Sequence, residues 1–222
     1  MDTNSCKQPK FSVARRIKST HRSLSGVYAF RGEGVAFESA LERDFIARMD
    51  FSREVVSVVS QPVTLDFVAR NGRSYTYTPD FLVRFKGRAE IPPMLVEVKP
   101  EENWRESWRE YLPKWKAAWS YARAQGWRFH IYDESRIRGQ SLKNIQFLER
   151  FKRADYAKED LDAVIQTVEF MGAAPIHYLV ALHFTGSEAL GTSHIFHLIA
   201  NRQLDCDISR KIDDFLEVSV TL

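Results

Sequence analysis

Tyr77-Thr78-Pro79-Asp80-Phe81-Leu82-Val83-Arg84-Phe85 and, after a proline-containing loop, Met94-Leu95-Val96-Glu97-Val98-Lys99-Pro100 decide how the rest of this chain reads. Both stretches are short, rich in β-branched and aromatic residues, and bounded by proline, which is the pattern of strands. Asp80 stands at the head of the first strand. Glu97 and Lys99 lie two apart on the second, so their side chains share one face while Val98 points to the other. With the two strands as neighbours, Asp80 and Glu97 converge on one ion. Two carboxylates and an ammonium on adjacent strands suit phosphodiester hydrolysis. That reaction uses a hard cation held by oxygen ligands, a metal-bound water of lowered pKa and a positive group near the developing charge. Mg²⁺ is the expected cofactor, with Mn²⁺ able to replace it. A surface salt-bridge ladder of Glu97 with Lys99 or Lys86 is the structural alternative.

Outward from this centre, Val35, Phe37, Leu41, Phe45, Ile46 and Met49 recur at helical spacing and predict a helix over 35–49. Residues 55–60 and 63–69 read as strands interrupted at Gln61-Pro62. Asn71-Gly72 predicts a hairpin turn into a strand over 73–78. A long helix is expected over 106–125, starting or kinking at Pro113, then a strand over 127–132 and a helix over 141–151. The fold class is therefore α/β, a mixed sheet flanked by helices. Residues 1–34 read as an irregular basic arm broken by Gly26, Gly32 and Gly34. The balance of charge changes sign near 152–155, which predicts a domain over 35–152 and a second over 153–222.

The net charge of +3 hides an asymmetry. Residues 1–31 carry seven Lys/Arg against one acid, +6, which suits phosphate contacts or a solvated terminus. Residues 154–222 carry four Lys/Arg against eleven acids, −7, which points to a protein partner rather than DNA. Cys6 and Cys206 form no paired motif, so neither a zinc ribbon nor a disulfide framework is indicated. No apolar run reaches membrane-spanning length and no secretory signal is visible, so a cytoplasmic setting is expected. All five tryptophans lie between residues 104 and 127. Trp104, Trp108, Trp115 and Trp119 form one helical stripe, read as a face packed on the sheet in preference to a base-stacking platform.

The wider pattern resembles a known family. Phe37-Glu38-Ser39-Ala40-Leu41-Glu42-Arg43-Asp44-Phe45-Ile46, then Gln61-Pro62, Tyr77-Thr78-Pro79-Asp80-Phe81 and Val96-Glu97-Val98-Lys99-Pro100, resemble the TnsA endonucleases of Tns-type heteromeric transposases. The resemblance runs from about Gly34 to Arg138. It implies a restriction-endonuclease-like fold of the PD-(D/E)xK superfamily and a site at Glu42, Asp80, Glu97 and Lys99. Glu38, one helical turn before Glu42, is the other candidate for the helical acid. Gln61 also matches the family, and is read equally as a strand-end amide satisfying backbone groups. The resemblance further implies a small C-terminal winged-helix-like domain, DNA at transposon ends as substrate, and two partners, a TnsB-like transposase and a TnsC-like AAA+ regulator. Ser187–Gln203 reads as a helix-turn-helix with its turn at Gly191 and Ser193 capping the second helix, and the segment after Leu204, ending in Phe215–Val220, as the wing. His194 and His197 are read as packing residues in preference to a metal pair. A Holliday-junction resolvase or repair nuclease of the same fold, and a non-catalytic DNA-binding adaptor, are the rival readings.

Overall fold

The structure is a computed structural model that describes residues 24–87 and 91–220. Most of the basic arm, residues 1–23, lies outside the described residues. The chain divides into two compact units, 1–137 and 138–222.

The first unit opens with a hairpin, β1 (Gly26–Phe30) and β2 (Glu33–Phe37), where an irregular segment and the start of a helix were expected. The three glycines do not break it. Gly32 supplies the turn at φ +89°, while Gly26 and Gly34 leave room for Phe37 and Val27 on the opposite strand. Phe30, Val35 and Phe37 are buried, so the hairpin's inner face belongs to the core. Helix α1 (Ala40–Phe51) therefore starts five residues later than the apolar spacing predicted, capped by Ser39.

Four strands form the main sheet: β3 (Val55–Ser60), β6 (Phe81–Phe85), β7 (Met94–Val98) and β8 (Arg128–Tyr132), in that order. β3–β6 and β6–β7 are antiparallel and β7–β8 parallel, the mixed sheet expected. The parallel step needs a crossover, supplied by α2 (Glu101–Ala124). A second hairpin, β4 (Leu65–Val68) and β5 (Ser74–Tyr77), turns at Asn71-Gly72 as predicted, with only Gly72 in the left-handed region. The unit closes with the short α3 (Glu134–Ile137).

Every residue of β7 is buried, because the strand is covered on both faces. Val96 and Val98 join Phe45, Ile46 and Phe81 in one cluster, and Leu95 joins Trp115, Ala118 and Ala122 of α2 in another. The irregular residue in α2 is Ser107 (φ −112°, ψ 19°), and Pro113 sits within the longer second stretch. The tryptophan stripe divides. Trp115 is buried and Trp104 packs with its Nε1–H donated to Asp133 Oδ2 (3.2 Å), while Trp108 and Trp119 are 45% and 51% exposed.

The second unit runs α4 (Gln140–Lys152), α5 (Lys158–Met171), β9 (Ala173–Pro175), α6 (Ile176–His183), α7 (Glu188–Ala200), β10 (Asp205–Cys206) and β11 (Glu217–Ser219). The three short strands form an antiparallel sheet ordered β10-β11-β9. The boundary falls one helix earlier than the change in charge suggested. Phe147 and Phe151 of α4 meet Phe196 of α7 edge to face, and Asn144 donates to the carbonyl of Ile208 at 2.9 Å, so α4 belongs to the second unit. With α4 included, 138–222 carries nine Lys/Arg and twelve acids, −3 in place of −7. The turn between the last two helices is at 184–187. Gly191 lies inside α7, where its missing side chain admits Phe184. Ser193 caps nothing and donates to the Leu190 carbonyl at 2.7 Å. His194 is buried between Tyr156 and Phe184, and the His197 ring meets the Phe151 carbonyl at 2.9 Å, which is the packing role expected of both. No helix among the described residues is long and apolar enough to cross a membrane.

Candidate active site

The register Phe81↔Val96 sets Asp80 beside Glu97 one step further along the two strands. Asp80 is fixed twice. Its Oδ2 accepts the Val98 N–H at 2.7 Å, and its own carbonyl accepts the Gln61 N–H at 2.7 Å. Gln61 itself sits at φ +48°, a strained position for a residue with a side chain, and its buried Oε1 has no partner. The backbone of Gln61, not its amide, does the pinning.

Glu97 is 3% exposed, which excludes a surface ladder with Lys99 or Lys86. Its partners come instead from sequence positions that drew no attention as a pair. Tyr77 at the end of β5 donates to Oε2 at 2.6 Å, and Lys114 of α2 donates to Oε1 at 2.8 Å. Both lie far from Glu97 in sequence and reach it only because the second hairpin and α2 cover the face of β7 that carries Leu95 and Glu97. The alternation that put Glu97 on a shared face was the one available clue.

Glu42 enters from the first turn of α1. Ser39 and Glu42 form a capping arrangement. The Glu42 N–H donates to Ser39 Oγ (3.1 Å), Ser39 Oγ donates to Glu42 Oε1 (2.9 Å), and the Glu38 N–H donates to Glu42 Oε2 (2.8 Å). Glu42 thus has a fixed carboxylate at the start of α1, and Glu38, which precedes the Ser39 cap and does not lie in the helix as expected, supplies it with a backbone donor.

The electrostatics tie the three acids together. Asp80 is pushed well above the usual carboxylate range by burial first, then by the negative charges of Glu97 and Glu42; the Val98 N–H and Lys114 oppose this. Glu42 is raised by burial, with Glu38 and Glu97 adding to the shift against its two hydrogen bonds. Tyr77 is raised by burial and by Glu97, so it stays a donor. Three carboxylates close enough to perturb one another face one ammonium, and this excess of negative charge is what a cation would relieve.

Lys99 follows β7 directly. Its Nζ lies 5.1 Å from the centroid of the Tyr111 ring, and among the described residues it makes no ion pair. The donor set is all-oxygen and hard, which fits Mg²⁺ or Mn²⁺ in kind. Among the described residues, however, no three His, Cys, Asp or Glu side chains are gathered closely enough to hold a metal ion. Each acid already has oxygens engaged by the protein: Asp80 Oδ2 by the Val98 N–H, both Glu97 oxygens by Tyr77 and Lys114, and both Glu42 oxygens by the helix cap. No curated protein matches the chain. Residues 52–134 match the family model described as TnsA-like endonuclease N terminal, a span that includes Asp80, Glu97 and Lys99 and stops short of Glu42.

Proposed function

We infer that this chain, whose residues 52–134 carry a TnsA-like nuclease domain, is a metal-dependent DNA endonuclease that cuts the 5′ strands at transposon ends while a TnsB-like transposase processes the 3′ strands. The observation that carries the reading is the adjacency of Asp80 and Glu97 on paired strands, with Glu42 in the first turn of α1 near enough that its charge and that of Glu97 help to raise the pKa of Asp80. Asp80 and Glu97 would hold the divalent ion, with Glu42 as the third acid. When bound, Mg²⁺ would supply an activated water and neutralise charge on the scissile phosphate. Tyr77 fixes the Glu97 carboxylate, and the Val98 N–H fixes that of Asp80. Lys99, which follows β7 directly and among the described residues makes no ion pair, would meet a phosphate oxygen.

The test is strand-resolved cleavage of a transposon-end duplex with Mg²⁺ and the partner transposase, comparing wild type with Asp80→Ala. A 5′-strand cut that disappears only in the variant supports the reading. A cut that persists in Asp80→Ala, or fails with the wild type and partner present, overturns it.

We assign the C-terminal unit a winged-helix-like role in docking on the TnsC-like AAA+ regulator. The order α5, β9, α6, α7, β10, β11 supports the first part, and the acid-rich stretch after α4 supports a protein partner over phosphates. Binding of fragment 138–222 to DNA at physiological salt, with none to the regulator, would sink this assignment.

A further inference from the structure

Among the described residues, Lys114 is the one ammonium that touches the acidic cluster, and it is held from several sides. Its Nζ is 2.8 Å from Glu97 Oε1, 4.5 Å from the centroid of the Tyr77 ring and 4.9 Å from that of Tyr111. Its side chain is 17% exposed and that of Glu97 4%. Ring faces favour a desolvated cation, so this is a built seat for positive charge. Tyr77 holds the other Glu97 oxygen. Both oxygens of the carboxylate assigned to the metal thus already carry a partner from the protein.

We propose that Lys114 is an exchangeable counter-ion, seated on Glu97 when no divalent cation is present and displaced from it when one binds. The inference rests on the metal-dependent reading above and adds a regulatory element to the same site. Its chemistry favours exchange. A lysine ammonium is a compact charge on a flexible four-carbon stem, so it can leave Glu97 without moving α2. An arginine fork in the same place would hold both carboxylate oxygens and would not yield. Without any cation the three acids would repel one another, so the ammonium keeps the metal-free site folded. With it in place, a divalent ion must compete for Glu97, and its apparent affinity is the intrinsic affinity multiplied by the fraction of molecules in which Lys114 is away from Glu97. Lys99 cannot play this part, because its contact is with Tyr111 and it makes no bond to an acid among the described residues.

Two measurements on the full chain test this without reading cleavage. In the first, Mn²⁺ is titrated calorimetrically into wild type, Lys114→Met and Lys99→Met. Lys114→Met is expected to bind Mn²⁺ on the order of tenfold more tightly than wild type, as removal of one competing charge from a partly buried site should give, and Lys99→Met to gain much less. Equal affinity in wild type and Lys114→Met, or an equal gain in both variants, overturns the proposal while leaving the metal reading intact. No binding in any of the proteins overturns both. The second needs no variant. Acetylation of lysines in the wild type, read by mass spectrometry, should modify Lys114 slowly in chelator and several-fold faster with saturating Mg²⁺, while exposed Lys116 reacts alike in both. Lys114 labelling that ignores Mg²⁺ overturns the exchange.

Discussion

Asp80 is more costly to ionise in this fold than in water, and the sign of that cost makes it measurable. Its folded-state pKa is raised above 3.8 by burial and by Glu97 and Glu42. The associated stability is therefore present below pH 3.8 and is lost as pH rises through the raised value. Asparagine at this position keeps an oxygen for the Val98 N–H and removes the charge. In chelator at pH 7.5, Asp80→Asn should melt several degrees above wild type, of the order that 1–2 kcal/mol gives in a chain of this size, and the gap should close as the pH falls toward 4. A variant that melts lower across the whole range would mean that the carboxylate is stabilised by partners other than those described. The two strand acids were legible in the sequence because period-two alternation and the prolines fix where strands begin. Tyr77 and Lys114 were not, because their contact with Glu97 exists only after the second hairpin and α2 fold over β7, and one lysine among many carries no local mark of it.

At the scale of elements, the misread segments share one cause: glycine serves two purposes and sequence alone does not separate them. Gly26, Gly32 and Gly34 read as breakers, yet only Gly32 needs a positive φ, and the other two make space between paired strands. Gly191 read as a turn and is a helical residue against which Phe184 packs. A Cβ there would lie 2.6 Å from the Phe184 side chain. Alanine gains about 1 kcal/mol over glycine in a helix interior, while forcing a methyl group into a filled site typically costs about 1–3 kcal/mol. The steric term wins because Phe184 is itself buried. Gly191→Ala should therefore lower stability in denaturant titration, and a variant more stable than wild type would show that the contact relaxes freely.

Across the whole molecule, charge misplaced the boundary and packing corrects it. The shift from basic to acidic sequence falls after α4, but Leu142, Ile145 and Leu148 of that helix are buried within the second unit. Fragment 138–222 should melt cooperatively, while fragment 153–222 should lose that cooperativity or melt far lower, since it uncovers the α7 face that Phe147 and Phe151 cover. Equal melting of the two would return the boundary to the change in charge. The α/β class and the strand order around the acids were readable because they follow from local pattern. The ownership of α4 was not, since an amphipathic helix announces that it has a buried face and not which core receives it.

The opening turn of α1 also narrows what position 42 can accept. Its side chain reaches back to Ser39 and the Glu38 N–H, and in the proposed function it also brings a third negative charge beside Asp80 and Glu97. Aspartate keeps the charge and loses the reach; glutamine keeps the reach and loses the charge. Folding and chemistry thus make separate demands on one carboxylate, and their overlap leaves glutamate as the single side chain that meets both.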